Sequence, residues 1–220
     1  MKSEAPALLV TETFYSLQGE SSWAGHPCFF IRLAGCNLRC AYCDARYTYE
    51  EPGVSRPLAE LLAEAAALPS SIPVEITGGE PLLQGNVYPL MNGLLEQGRT
   101  VLLETNGSLS LARVPAEVIC VMDVKCPGSG MADHFDPANL GRLTPRDEIK
   151  FVLSNRADYE WARDFLRQSQ PPFGGLIHFS PVIATLPPAD LAAWIIADRL
   201  PIRLQLQLHT LLWPDRRRGC

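Results

Sequence analysis

Runs of apolar and β-branched residues alternate along the chain with stretches whose apolar positions recur at helical spacing. This rhythm is typical of β/α units on a mostly parallel, buried sheet. It predicts strands at residues 28–34, 73–77, 100–105, 118–124, 148–153, 175–180 and 202–208. It predicts helices at residues 57–68, 86–97, 156–169 and 188–200, each with Pro or Asn near its start as a helix-entry signal. The pattern therefore indicates an α/β fold.

The last predicted strand has a regular alternation. Leucines at 204, 206 and 208 alternate with Gln205, Gln207 and His209. A period of two places the three polar side chains on one face of a strand. We therefore interpret residues 202–208 as an edge strand with one wet face.

Length and composition are those of an ordinary globular protein. The 220 residues favour one large domain, and 47% hydrophobic with 20% charged residues excludes a disordered chain. A net charge of −5 gives no bulk affinity for nucleic acid or an anionic membrane. Residues 1–14 lack the basic and apolar regions of a signal peptide, and no run of about 18 apolar residues occurs. We expect a cytoplasmic protein with no nucleic-acid or membrane partner.

Three of the seven cysteines, Cys36, Cys40 and Cys43, form a C-x3-C-x2-C motif directly after a predicted strand. Such spacing lets three thiolates converge on one metal centre. Structural zinc normally needs four protein ligands, and the closest further candidate is His26, ten residues before Cys36. A 4Fe–4S cluster with three cysteine ligands instead leaves one iron open to a small molecule. Three incidental thiols are the remaining alternative.

The other cysteines have simpler interpretations. Cys28 and Cys120 lie in apolar strands, where buried thiols act as small hydrophobic groups. Cys126 precedes a proline and is interpreted as structural. Cys220 follows three arginines, in what is ordinarily a frayed basic tail.

A second motif, Thr77-Gly78-Gly79-Glu80-Pro81, follows the second predicted strand. Its glycines let the backbone approach a ligand closely, and its carboxylate can receive an ammonium group. A simple turn at the end of a strand is the alternative.

Together, the two motifs resemble those of the radical S-adenosylmethionine (SAM) superfamily. The resemblance implies an incomplete, TIM-like β/α barrel with its active site at the carboxyl ends of the strands. It also implies a 4Fe–4S cluster on Cys36, Cys40 and Cys43, whose open iron binds SAM and generates a 5′-deoxyadenosyl radical. The SAM-binding residues that it implies are Tyr42, Asp44, Gly78, Gly79, Glu80, Asp123, Lys125 and Ser180. Lys125 has a simpler alternative, which is to extend its ammonium group from an apolar strand into water.

Over essentially its whole length the chain resembles the 7-carboxy-7-deazaguanine synthases. The matching stretches are residues 12–20, 25–33, 104–107, 123–130, 150–152, 180–181 and 205–209. This resemblance implies a lyase of 7-deazapurine and queuosine biosynthesis, on a route to tRNA modification. The enzyme would convert 6-carboxy-5,6,7,8-tetrahydropterin to 7-carboxy-7-deazaguanine with loss of ammonia, and would regenerate SAM. Its expected partners are a flavodoxin-type or other low-potential reductant and a second copy of the chain.

The same resemblance implies the substrate contacts and the organisation of the chain. The implied substrate-binding residues are Leu17, Gln18, Gly19, Glu20, Arg32, Thr77 and Cys220. Arg32 also stands out by itself, because an unpaired guanidinium in an apolar strand is costly. It should therefore meet a carboxylate or line a polar cavity. The resemblance implies the substrate carboxylate, and an internal pair with Glu20, Glu75 or Glu104 is the alternative. We expect a single domain with a substrate-binding cap at 1–27, a partial barrel at 28–208 and a tail at 209–220.

One position departs from the family pattern. The family commonly has Thr or Ser directly after the Cys-Asp of the cysteine loop, where the hydroxyl helps bind Mg²⁺, but here that residue is Ala45. A methyl group cannot bind a hard cation. Either water takes the position, Asp44 or Thr48 contributes instead, or the magnesium dependence is weakened.

Three other functions compete with this interpretation. A glycyl-radical activating enzyme would act on a partner protein and need a large apolar groove. An iron–sulfur electron carrier would need four cysteine ligands. A zinc-dependent nucleic-acid-binding protein would need a fourth zinc ligand and fits poorly with the net charge of −5.

Overall fold

The computed structural model describes residues 5–169 and 174–220, which form a nine-stranded open sheet. The strands are β1 (Ala7–Leu17), β2 (Pro27–Leu33), β3 (Val54–Pro57), β4 (Val74–Gly78), β5 (Val101–Thr105), β6 (Ile119–Asp123), β7 (Glu148–Leu153), β8 (Leu176–Pro181) and β9 (Arg203–Leu204). Their order in the sheet is β3-β1-β2-β4-β5-β6-β7-β8-β9. From β2 to β9 every neighbouring pair is parallel, whereas β1 is antiparallel to both β2 and β3. This is the predicted incomplete β/α barrel.

Helices follow several of the parallel strands. They are α1 (Tyr47–Glu50), α2 (Leu58–Ala66), α3 (Val87–Glu96), α4 (Arg156–Ser169), α5 (Pro188–Asp198) and α6 (Leu208–Leu212). Short 3-10 helices occur at Pro81–Leu83, Leu111–Arg113, Pro127–Ser129, Ala132–His134 and Pro137–Arg142. In α2 the buried side chains are Leu58, Leu61 and Ala65, which lie on one helical face. None of the helices in the described ranges is long and apolar enough to cross a membrane.

The predictions for the central elements are confirmed. Six of the predicted strands correspond to β2 and β4 to β8, and the four predicted helices correspond to α2 to α5, with α4 at the predicted bounds. Their strongest signal is burial on both faces, as in β7, where all six residues are buried. Cys28 and Cys120 are buried as expected, and so is Cys126.

The first strand was not predicted. Residues 7–17 pair along β2, from Val10 opposite Leu33 to Leu17 opposite Pro27, with a bulge between Val10 and Glu12. The polar run Thr11-Glu12-Thr13 interrupts the apolar periodicity, so the sequence pattern does not predict a strand here. Much of the predicted cap segment therefore belongs to the sheet. A loop remains at 18–26, and its role in substrate binding stays a prediction.

The prediction for the last strand is wrong in extent. β9 has two residues, Arg203 and Leu204, and the chain enters α6 at Leu208. Gln205 is buried instead of facing water. Its Oε1 accepts a hydrogen bond from Ser21 N (2.7 Å), and its Nε2 donates to Ser21 O (2.8 Å). This pairing joins the segment after β9 to the 18–26 loop, while Gln205 N still donates to Phe179 O of β8 at 2.9 Å.

The two faces of the sheet differ in chemistry. An apolar core packs between one face and the helices, with Ile76, Leu103 and Ile149 among its fully buried members. The opposite face carries polar side chains on neighbouring strands, including Arg32, Thr77 and Lys150, which line a cavity. Because parallel strands end at the same edge, the loops that follow them converge there.

Candidate active site

A cavity of about 540 Å³ opens at the carboxyl ends of the parallel strands. Its volume lies within the roughly 300–1,000 Å³ of typical small-molecule sites. Of the sequence-predicted site residues, those that line it are Leu17, Gln18, Gly19, Glu20, Arg32, Cys36, Cys40, Tyr42, Cys43, Asp44, Ala45, Thr77, Gly78, Gly79, Asp123, Lys125 and Cys220. Two predicted SAM residues, Glu80 and Ser180, are fully buried and do not line the cavity.

The cysteine motif occupies the loop after β2. Cys36, Cys40 and Cys43 are free, half-buried thiols that line the cavity. Leu38 N lies 3.4 Å from Cys36 Sγ as a donor, and Asn106 Nδ2 lies 3.9 Å from the same sulfur. Burial raises the pKa of the Cys40 and Cys43 thiols, and Lys125 opposes that rise at both. A nearby cation and N–H donors are the surroundings that favour a thiolate ligand.

The donor set distinguishes a cluster from a single ion. Within residues 5–169 and 174–220, no three Cys, His, Asp or Glu side chains converge closely enough to hold one metal ion. Three thiols nevertheless line one cavity, and a multi-iron cluster binds thiolates spread around it rather than at one point. The three cysteines would therefore fit a 4Fe–4S cluster as its protein ligands, and in the described ranges they do not form a tetrahedral zinc site.

The two glycines of the second motif pack directly against the cysteine loop. A Cβ built on Gly79 would lie 1.8 Å from Gly35 O, and one on Gly78 would lie 2.6 Å from Leu33 O. Glu80 N also donates to Gly35 O at 2.8 Å. Side chains at 78 or 79 would push the turn away from the residue that precedes Cys36. The glycines are therefore required for packing between the two motifs.

The carboxylate of Glu80 is already satisfied by protein donors. Oε1 accepts from Leu82 N (3.0 Å) and Thr105 Oγ1 (2.9 Å), and Oε2 accepts from Asn106 N (2.7 Å). The side chain is fully buried, and burial raises its pKa while these donors lower it. Glu80 thus joins the glycine turn to the end of β5, and its predicted contact with the SAM amino group stays a prediction.

A buried lysine that sequence reasoning did not assign to the site organises the cavity floor. Lys150 Nζ lies 2.8 Å from Glu20 Oε2 and 3.6 Å from Asp123 Oδ2, and it also contacts Glu104. Burial by itself would raise the pKa of Glu104, but the Lys150 ammonium lowers it to about 2. The sequence does contain a signal for this ion pair. Lys150 and Glu104 both lie in apolar strands, and charged groups are rarely buried unless they are paired. The network fixes Glu20 of the 18–26 loop against β5 and β7.

Lys125 points into the cavity and does not simply extend into water. Its Nζ lies 2.7 Å from Asp123 Oδ2, and its side chain is 17% exposed. Burial lowers the pKa of Lys125, but the adjacent Asp123 outweighs this and raises it. The pair presents fixed charges of both signs near the cysteine loop.

Arg32 does pair inside the protein, but with none of the three expected carboxylates. Its Nε lies 3.0 Å from Glu12 Oε1, the residue opposite it on β1. The same oxygen accepts from Tyr47 Oη at 2.9 Å. In the described part of the chain the two terminal nitrogens of Arg32 make no hydrogen bond or ion pair, and the residue lines the cavity. The guanidinium is therefore held at one nitrogen and presents two others.

The ordinary interpretation of residues 216–220 as a frayed basic tail is wrong. Gly219 N donates to Glu12 Oε2 at 3.2 Å, and the Arg218 guanidinium lies 4.6 Å from the centre of the Tyr47 ring. Arg218 also forms an ion pair with Glu51. These contacts bring Cys220 to the cavity wall. Burial raises the pKa of its thiol, and the nearby charge of Arg32 opposes that rise.

The candidate magnesium position offers few oxygen ligands. Ala45 lines the cavity, and its carbonyl accepts from the Thr48 hydroxyl at 2.7 Å. Thr48 is buried and lines the same cavity, and its hydroxyl proton is used by that carbonyl. Asp44 is 66% exposed, with Oδ2 3.6 Å from His209 Nε2. Of the alternatives to the missing hydroxyl, Asp44 offers an exposed carboxylate, a type of ligand that Mg²⁺ prefers.

Several known proteins are similar to this chain. Residues 30–122 match the Radical SAM superfamily. A 7-carboxy-7-deazaguanine synthase of Koribacter versatilis is 46% identical, with 96% of this chain and 99% of that protein covered. One from Chlorobaculum tepidum is 45% identical, with 99% of both chains covered. The crystal structure of QueE from Escherichia coli superposes with a TM-score of 0.74 at 25% identity, covering 91% of this chain and 94% of that one. The chain therefore belongs to the 7-carboxy-7-deazaguanine synthase family of radical SAM proteins.

Proposed function

We propose that this protein converts 6-carboxy-5,6,7,8-tetrahydropterin to 7-carboxy-7-deazaguanine and ammonia. The observation that carries the proposal is that the three-thiol loop and the Arg32 guanidinium line the same cavity. A site for a radical-generating group thus adjoins a site for an anionic heterocycle. The reaction loses one ammonia without net oxidation, so it consumes no stoichiometric oxidant. Its product is a 7-deazapurine, which suits queuosine biosynthesis and the tRNA modification that depends on it.

When bound, the 4Fe–4S cluster and SAM supply a 5′-deoxyadenosyl radical. Cys36, Cys40 and Cys43 hold the cluster. Tyr42 is fixed by its hydroxyl, which donates to Val152 O at 2.9 Å, and its ring is available to the adenine of SAM. Gly78 and Gly79 offer backbone beside the cysteine loop.

The charged pair on β6 and the loop after it suits the polar end of SAM. Lys125 provides an ammonium for a carboxylate, and Asp123 provides a carboxylate for an amino group. Asp44 lies at the exposed rim, and Ser180 lies beneath the site. We assign Glu80 to holding the turn that carries the glycines, in addition to its predicted SAM contact.

The substrate side is formed by β1, β2, β4 and the loop 18–26. Arg32 offers two unoccupied nitrogens to the substrate carboxylate, which a planar guanidinium binds in bidentate fashion. Leu17, Gly19 and Thr77 line the same side of the cavity, together with Gln18 and Glu20. The folded tail contributes Trp213, Arg216 and Cys220 to the cavity lining, where they would restrict the access of water to a reactive intermediate.

The partners follow from this chemistry. The cluster has to be reduced, so the protein needs a low-potential electron donor such as a flavodoxin. A homodimer and a cytoplasmic location belong to the same proposal.

The function is tested by anaerobic reconstitution with iron and sulfide, followed by SAM, a reductant and the carboxytetrahydropterin. We expect a product whose mass is that of the substrate minus ammonia, with SAM not consumed in proportion. A protein that cleaved SAM but left the pterin unchanged would contradict the proposal. That result would favour a glycyl-radical activating enzyme, and a protein that neither cleaved SAM nor changed the pterin would favour an electron carrier.

Magnesium is predicted to stimulate this enzyme weakly, because Ala45 offers no hydroxyl. Ala45→Thr should add an oxygen ligand and strengthen the response, since Mg²⁺ prefers oxygen and keeps several waters. The measurement is turnover against magnesium concentration for both forms under identical anaerobic conditions.

Ala45→Val is the matched control, because Val has nearly the shape of Thr without the hydroxyl. It should leave the magnesium response unchanged. If the native protein already depends tightly on magnesium and Ala45→Thr changes nothing, then another residue such as Asp44 completes the ion's shell.

A further inference from the structure

Glu75 is a buried carboxyl group on the cavity floor to which the preceding assignment gives no role. It lies in the middle of β4, is 2% exposed, and lines the cavity. Gln18 Nε2 donates a hydrogen bond to its Oε2. Across residues 5–169 and 174–220, no protein group donates to its Oε1. One half of this carboxyl group is therefore left for a ligand.

Three other carboxylates that line the cavity differ from Glu75 in having a cation close by. Asp123 is 2.7 Å from Lys125, and both Glu20 and Glu104 contact Lys150. In the part of the chain that the structure describes, Glu75 forms no ion pair within 4 Å. A buried carboxylate that has only one neutral hydrogen-bond donor destabilises the folded protein. Donors on a ligand would remove that cost, so their hydrogen bonds would contribute strongly to binding.

The surroundings of Glu75 agree with an incompletely satisfied carboxylate. Burial raises its pKa well above the usual range, and the charges of Glu104 and Glu20 raise it further. Lys150 and Arg32 lower it without outweighing burial. Hydrogen-bond donors on a ligand would stabilise the ionised form.

Both polar atoms of the Gln18 amide already have partners within the protein. Its Nε2 is used by Glu75, and its Oε1 accepts from Glu20 N at 2.8 Å. These two hydrogen bonds hold Glu75 in place. They leave the Gln18 amide with few free hydrogen-bonding positions for the donor and acceptor edge of a pterin.

We propose that Glu75 is a specificity-determining residue that accepts hydrogen bonds from the N3–H and 2-amino group of the substrate's pyrimidine ring. The proposal rests on the proposed function and deepens it. These two donors are adjacent and coplanar, as in a guanidinium, and a carboxylate accepts such a pair in bidentate fashion. Each carboxylate oxygen has two lone pairs, so the bond from Gln18 does not prevent this.

The same geometry rejects the 2-oxo ring. Replacing the 2-amino group by oxygen turns a donor into an acceptor and places it against the carboxylate. Sites built for one hydrogen-bonding pattern discriminate strongly against the reversed pattern, because buried polar groups are left unpaired. Glu75→Gln introduces an amide that can donate to that oxygen, so it should relax the preference.

The test is binding to the reconstituted holoenzyme with SAM and without reductant, so that no turnover occurs. The probes are 6-carboxypterin and 6-carboxylumazine, which differ only at position 2, measured by equilibrium dialysis. We expect the native protein to prefer the pterin by about tenfold or more and Glu75→Gln to bring the ratio near one. Glu117→Gln, the same change at an exposed position, should keep the native ratio.

Glu75→Asp keeps the charge while shortening the side chain, and it should bind both probes more weakly while still preferring the pterin. It takes the place of Glu75→Gln if that variant does not fold. A native ratio near one, or a Glu75→Gln variant that keeps the native preference, would overturn the assignment. If the native protein formed the deazapurine product but had no preference at position 2, only this inference would fail. If it formed no product and bound neither probe, the proposed function would fail with it.

Discussion

Alanine at Cys36, Cys40 or Cys43 is expected to abolish both SAM cleavage and product formation. Each thiol lines the cavity, and a cluster with three protein ligands cannot lose one and keep its geometry. The loss should appear first as a missing broad iron–sulfur absorbance after anaerobic reconstitution, together with a fall in bound iron. Folding should be retained, because the three side chains are only half-buried and contribute little to the apolar core.

Cys28→Ala and Cys126→Ala are the controls. Both thiols are fully buried, and burial raises the pKa of each well above the usual range, so neither is poised as a thiolate. These variants should reconstitute a full cluster even if their thermal stability falls. A missing absorbance in either one would show that the ligand assignment is wrong.

The central elements could be predicted because their signal is local. β7 is buried along its whole length and α4 has one apolar face, so each shows its own period in the sequence. The proximity of the cysteine loop and the glycine turn could also be predicted. The two motifs follow neighbouring parallel strands, and parallel strands end at one edge of the sheet. Local patterns combined with this rule place both motifs at the same cavity.

The partner of Arg32 could not be predicted, because it depends on a strand that the sequence concealed. Glu12 stands directly opposite Arg32 in the β1–β2 pair. Without β1, the candidate carboxylates for Arg32 are Glu20, Glu75 and Glu104. Pairing across an antiparallel register is a tertiary property, and a bulge between Val10 and Glu12 shifts that register further.

The wrong strand at 202–208 has a similar origin. Its alternation of leucine with polar residues is that of an edge strand, but the amide of Gln205 satisfies the backbone of Ser21 instead of facing water. A polar side chain that binds the backbone of a distant loop leaves no mark on the periodicity of the sequence. The position of Glu80 was hidden in the same way, since its three donors come from the next turn and from the end of β5.

The charged floor of the cavity also needed the fold. Lys150 lies on β7, Glu104 on β5 and Glu20 in a loop, and each is separated from the others by more than 40 residues. A sequence shows that buried charges need partners, but not which ones. The register between neighbouring strands decides which charged groups meet. For example, Asp123 of β6 lies opposite Lys150 of β7.

The second large effect is expected at Arg32. Arg32→Ala should weaken binding of 6-carboxypterin by a few hundredfold or more, since breaking a buried ion pair costs about 3–5 kcal/mol. SAM binding should be nearly unchanged, because Arg32 forms no hydrogen bond or ion pair with any of the proposed SAM residues in the described part of the chain. Glu12 should tolerate the loss, since it keeps the donors Tyr47 Oη and Gly219 N.

A second ligand separates recognition from folding. Pterin without the 6-carboxylate should bind the native protein and Arg32→Ala almost equally, because the charge that Arg32 is proposed to meet is absent. Arg32→Lys should recover only part of the affinity for 6-carboxypterin, since an ammonium keeps the charge but not the planar, two-nitrogen contact. Equilibrium dialysis of both pterins and of SAM against the three forms measures each effect. An equal loss for both pterins and for SAM would mean that Arg32 supports the fold through Glu12 and does not bind the substrate carboxylate.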